Sequence, residues 1–168
     1  MEYKVIYSRR KTIAISIVDC GVVIKAPIGT SDKTLREVVA KHSQWIAKAM
    51  EKQAKKQALY KALTDEDIKL LKKAAKKYFM EKTAYYAKIM GIDYGRITIT
   101  SAKTRFGSCS SLGNIAYSYR LMLYPEPARE YVVVHELAHR KEMNHSAKFY
   151  AIIESVLPDY KTRKRLLK

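Results

Sequence analysis

The stretch that most constrains this chain is VVVHELAHRKEMNHS, residues 132–146, which gathers three of the four histidines into eleven positions. His135-Glu136-Leu137-Ala138-His139 has the form HExxH. Residues four apart share one face of an α-helix, so the two imidazoles can reach a common ion only if the segment is helical. That demand runs against local propensity. Val132, Val133 and Val134 are poor helix formers and would suit a strand. A helix here has to be held by packing, with the valines in a core.

The chemistry follows from the residue types. Neutral imidazoles suit Zn2+, which lowers the pKa of water bound to it and leaves a coordination position open in catalytic sites. Glu136 is placed to take a proton from the attacking water and later deliver it, as a general base and acid. A catalytic zinc generally takes three protein ligands, and the helix supplies two, His135 and His139. Arg140 to Met143 read as the end of the helix and Asn144 as its turn, so that His145 swings back as the third ligand. Glu154, downstream, is the rival for that position. Ser146 is a candidate cap for a following helix with Phe149, Ile152, Ile153, Val156 and Leu157 on its apolar face.

Around this motif the pattern predicts an α+β chain. YKVIYS, TIAISIV and GVVIKAP within residues 3–28 read as three strands of a small antiparallel sheet, with breaks at Arg9–Lys11 and Asp19–Gly21. Leu35, Val38, Val39, His42, Trp45, Ile46 and Ala49 follow at helical spacing, after Ser31 or Asp32 as a cap, with His42 and Trp45 packed or half-buried. The helix runs on into a polar extension, and a boundary falls near residue 64. The expected organisation is strands plus helix over 1–63 and a zinc domain over 64–168. In the second part, Ile68, Leu71, Ala75, Tyr78, Phe79, Tyr85 and Ile89 mark the buried face of a long helix ended by Gly91. Residues 96–100 and 114–123 read as strands and 103–113 as a loop in which Gly107 makes a tight turn. Strand 114–118 is the expected edge on which an extended peptide could align. Pro125 and Pro127 introduce the HExxH helix.

Charge matters for partners. The chain carries +17, a field that attracts polyanions such as nucleic acid or nucleotides. Lys161, Arg163, Lys164, Arg165 and Lys168 form a basic tail. No Walker-type loop is present, so phosphate recognition would fall to side chains such as Arg105. No apolar run is long enough to span a membrane, and the N-terminus lacks the apolar core of a signal peptide. Cys20 and Cys109 match no metal or redox spacing and read as free thiols. A cytoplasmic protein without membrane attachment is the expectation.

The spacing of His135, His139 and His145 equals that of metzincin proteases, but Glu142 stands at their glycine and few residues remain for their Met-turn. The segment from RFGSCS through YVVVHELAH and NHS to PDY instead resembles the YgjP-like metallopeptidase domain, a relative of the SprT and WLM zincins. SRRKTIAISIV and HSQWI resemble its N-terminal half. The resemblance implies a gluzincin-type zincin minidomain: antiparallel strands beside an active-site helix, zinc on His135, His139 and His145, and Glu136 as base. Phe106 replaces the family's usual tryptophan, and Ser118 stands where an asparagine is often found. In the RFGSCS loop, Arg105 is a candidate substrate or oxyanion contact and Ser108 a candidate cleft residue, while Cys109 reads as packing; Tyr131 reads as core or support for the histidines. Three functions are weighed. The leading one is a metallopeptidase acting on a peptide or protein. The alternatives are a nucleoside triphosphate (UTP) pyrophosphohydrolase using the same site, and a DNA-associated SprT-like module.

Overall fold

Alternating apolar residues build the first sheet. In the computed structural model, which describes residues 2–18 and 21–167, β1 (Tyr3–Ser8), β2 (Ala14–Val18) and β3 (Gly21–Pro27) pair in the order β1-β3-β2. Asp19, Cys20 and Lys168, read above as part of a break, a free thiol and the end of a basic tail, lie outside the described residues. The chain divides into two compact units between Thr64 and Asp65.

In the first unit β2 is antiparallel to β3, whereas β1 is parallel to it, with Val5 opposite Ile24. The sheet is therefore mixed, which corrects the all-antiparallel expectation. Alternation says which face of a strand is buried, not which neighbour it joins. β3, with Val22, Ile24 and Ala26 buried, takes the centre because it gains most from cover on both sides. Ser31 caps α1 (Asp32–Lys41), its Oγ accepting the Thr34 N–H at 3.2 Å. His42 leaves helical geometry (φ −104°, ψ 11°), so α2 (Ser43–Lys61) is a separate helix rather than a continuation. His42 and Trp45 are exposed, contrary to expectation. The unit's core is instead Val22, Ile24, Ala26, Leu35, Val39 and Ile46. Leu35, Val39 and Ile46 keep the helical spacing across the break, while His42 at the break and Trp45 beside Ile46 are left outside the core.

The second unit opens with α3 (Asp65–Met90), which buries Ala75, Phe79, Thr83, Tyr86, Ala87 and Met90. Tyr85 and Ile89, placed on the buried face by the sequence reading, are exposed. The true stripe steps by four, four, three and four from Ala75 to Met90, which fits the 3.6-residue period better. Gly91, at φ +58°, ends the helix. β4 (Ile97–Thr100), β5 (Gly107–Cys109) and β6 (Ile115–Ser118) form a sheet in the order β4-β6-β5, with β4 parallel and β5 antiparallel to β6. The supposed loop 103–113 thus contains a strand. The supposed strand 114–123 turns at Ser118 into a 3-10 helix, Tyr119–Leu123. Ser118 drives that change: its Oγ accepts the Arg120 N–H and donates to the Ala102 carbonyl at 2.8 Å.

Phe79 of α3 stacks on Tyr117 of β6 at 4.5 Å between centroids, and Thr83 and Tyr117 share a buried hydrogen bond of 3.1 Å. α4 (Glu126–Ala138) packs against α3 and β5, and α5 (Ala147–Val156) and α6 (Tyr160–Arg165) pack in turn on α4. Glu130 ties three helices together, bonded to Lys82 at 2.8 Å and to Arg163 at 2.6 Å. Arg163, counted above in a basic tail, is thereby used internally. The chain is a mixed α+β protein with two small sheets, and no helix among the described residues is long and apolar enough to cross a membrane.

Candidate metal centre

α4 is the helix that the HExxH spacing demands. Pro125 occupies its N-cap, and Val132, Val133 and Val134 are buried with Tyr131, Leu137 and Ala138. Tertiary burial thus overrides the valines' preference for extended backbone. The helix stops at Ala138, with His139 as its C-cap in αR geometry, rather than running to Met143. Beyond it the side chains turn to other work: Arg140 donates to the carbonyls of Asp93 (3.1 Å) and Ser111 (2.9 Å), and Lys141 to that of Met90 (2.8 Å). These bonds fix the turn that brings His145 back.

The three imidazoles converge. One ring nitrogen from each of His135, His139 and His145 lies within 4.8 Å of the others. The ring centroids form a triangle with 4.9 Å on every side. Phe149 forms its floor, fully buried, at 4.9, 4.6 and 4.8 Å from the three rings. Ser146 sets this up by capping α5 through the Phe149 N–H, one residue after His145. Glu154 is exposed on α5 and is not part of the cluster.

The donor set fits a divalent cation. The Nδ1 of His139 lies 3.2 Å from the Glu142 carbonyl oxygen. A carbonyl can only accept, so Nδ1 carries the proton and Nε2 keeps a free lone pair. His135 meets the Tyr131 hydroxyl through Nδ1 at 3.4 Å, and its Nε2 faces the Nε2 of His145 at 3.1 Å. Burial, joined by the charges of His139, His145 and Lys164, pushes His135 down to about 3. Burial also lowers His139. Both shifts favour the neutral imidazole that ligation requires.

Glu136 lies beneath β5, nearly buried. Burial pushes its carboxyl up to about 8, with the Arg105 guanidinium pulling the other way. Gly107 makes room for it: a Cβ there would sit 2.5 Å from Oε1. Gly107 is an ordinary strand residue with no positive φ, so its role is close approach rather than the expected tight turn. A cleft of about 450 Å³ opens beside the histidines, walled by Phe106, Gly107, Tyr131, Tyr150 and Lys164. Neither Arg105 nor Ser108 is among its lining residues; Arg105 is exposed and Ser108 half-buried in β5. Phe106 keeps an aromatic contact, edge-on to Tyr124 at 5.0 Å. Cys109 is a free thiol whose burial raises its pKa. Tyr150 and Lys164 were missed as site residues; in sequence they are one aromatic and one lysine among many, and only the fold brings them together.

Residues 11–70 and 57–168 match the family described as YgjP-like, metallopeptidase domain. That family implies a metal ion, and the histidine cluster could hold one. Among curated proteins none matches the sequence. A solved structure, the metallopeptidase zymogen of Pyrococcus abyssi abylysin, is 23% identical with a TM-score of 0.49, over 53% of this chain and 90% of that one.

Proposed function

We propose, from the premise that the chain belongs to the YgjP-like metallopeptidase domain family, that residues 64–168 form a zincin-like catalytic domain that hydrolyses peptide bonds. In this reading His135, His139 and His145 hold zinc and Glu136 is the general base. The observation that carries it is the regular triangle of imidazoles on Phe149 with a buried carboxylate one residue from its first ligand.

A zinc ion bound there would supply Lewis acidity, polarising the scissile carbonyl and lowering the pKa of water and of Glu136 nearby. The chain's own groups do the rest. Glu136, fixed between α4 and Gly107, takes the proton of the attacking water and passes it to the leaving amine. Tyr131 orients His135, and the Glu142 carbonyl orients His139. Strand addition, assigned above to 114–118, cannot use β6, which is the central strand of its sheet. β5 is a terminal strand beside Glu136 and takes that role in the proposal. Arg105 stays the candidate for contact with a substrate oxygen, supported by its electrostatic reach to Glu136. Ser108, away from the cleft lining, is a weaker one. A reducing cytoplasm suits the free Cys109.

The test is metal content and turnover of an unfolded protein, a fluorogenic peptide and UTP by the wild type, Glu136→Gln and His145→Ala. The wild type should hold about one zinc and cleave peptide. Glu136→Gln should keep the metal and lose about 10²- to 10⁴-fold in rate, and His145→Ala should lose metal. Phosphate release from UTP without peptide cleavage would overturn the proposal.

A further inference from the structure

Lys164 lines the cleft alongside His135, Glu136 and His145, yet it has no acidic partner among the described residues. Its neighbour Arg163 is paired with both Glu130 and Asp159. The Lys164 ammonium rests instead on Tyr150, 5.1 Å above the ring centroid and 3.4 Å from its hydroxyl. That contact orients the cation without neutralising it. Lys164 and Tyr150 also border a second hollow of about 550 Å³, lined by Tyr160, Lys161 and Arg165. A chain leaving the histidines past Lys164 therefore runs onto a basic surface.

We infer that Lys164 is a carboxylate-binding subsite of the cleft, and that the substrates are peptides with an acidic group close to the scissile bond, further acids meeting Lys161 and Arg165. The inference rests on the peptidase reading of the histidine site. An unneutralised ammonium beside the reacting centre favours an anionic group on the substrate, and the net charge of +17 steers such chains inward. A nucleic acid fits less well. Tyr150 lies near-parallel to Tyr160 at 5.9 Å and to His145 at 6.4 Å, and Lys164 covers it as well. The ammonium over its ring competes with a base for that face. Two sources offer the same carboxylate: an internal Asp or Glu side chain, and a free C-terminus.

The experiment uses the full chain loaded with zinc and fluorogenic peptides carrying Glu or Gln at each position flanking the scissile bond, with the C-terminus free or amidated. Because Lys164 is exposed, the preference for Glu, or for the free terminus, should be about twofold to fivefold in kcat/KM at low ionic strength and should shrink with salt. Lys164→Arg should keep it, and Lys164→Glu should reverse it in favour of a lysine-bearing peptide. Peptides cleaved with no dependence on a carboxylate, or with a preference that survives Lys164→Glu, would overturn this inference and leave the peptidase reading standing. Stronger inhibition by a single-stranded oligonucleotide than by polyglutamate would also overturn it. A zinc-loaded protein that cleaves no peptide would remove both.

Discussion

Replacing Gly107 with alanine probes how closely β5 holds the carboxyl of Glu136. The new methyl would lie 2.5 Å from Oε1 and 2.8 Å from Cγ and Cδ. Ordinary van der Waals contact begins near 3.4 Å, so the carboxyl has to retreat by about 0.9 Å. The atoms in conflict are the end of a flexible side chain, and a rotamer adjustment of this kind costs about 1 kcal/mol. Folding and zinc content should survive. Catalysis should not: a misplacement near 1 Å lowers the rate about 100-fold, or about 2.7 kcal/mol in the barrier. The assay is kcat/KM on a fluorogenic peptide at matched zinc content, with thermal melts of the same samples. Gly95→Ala is the control, since its Cβ would press on the Asn114 side chain at 2.6 Å, away from Glu136. Near wild-type turnover in fully zinc-loaded Gly107→Ala would refute the idea that β5 positions the base.

Three other outcomes are expected. Phe149→Ala should destabilise the fold by about 3–5 kcal/mol in urea denaturation and weaken zinc binding, because the three rings lose their shared floor. Tyr131→Phe removes the hydroxyl 3.4 Å from the His135 Nδ1 and should raise the zinc dissociation constant up to about tenfold, with the melting curve little changed. Burial opposes the charge on Glu130, but hydrogen bonds from Lys82 and Arg163 hold its carboxyl below the usual 4.5. The stability from this depressed acid is present above about pH 4.5 and is lost as pH falls through the folded-state value. Glu130→Gln should therefore cost about 2 kcal/mol at pH 7 and progressively less toward pH 3, measured by denaturant titration at each pH.

Chemistry was more legible than packing. The interval between His135 and His139 dictates a helix because only that backbone stacks residues four apart, and α4 is there. Ser146 could be read as a cap because a hydroxyl before an apolar run satisfies a free N–H, and its Oγ accepts from Phe149. Failures came where a residue's role depends on something distant in sequence. Tyr85 and Tyr86 are equally aromatic, and only the layer against α3 selects Tyr86 for burial. Gly107 signals flexibility to a reader of sequence, whereas its use lies in the missing Cβ above Glu136. Alternation carries no trace of strand order, so the sequence does not distinguish the central β6 from an edge. Lys164 reads as one more member of a basic tail because nothing local distinguishes it from Lys161.

Both three-stranded sheets place the strand translated last in the middle. While the ribosome has delivered only β4 and β5, neither has its hydrogen-bonding neighbour, and the same holds for β1 and β2 before β3. Pairing within each sheet therefore cannot begin until its final member has emerged, and that one strand then supplies the partner for both of the others.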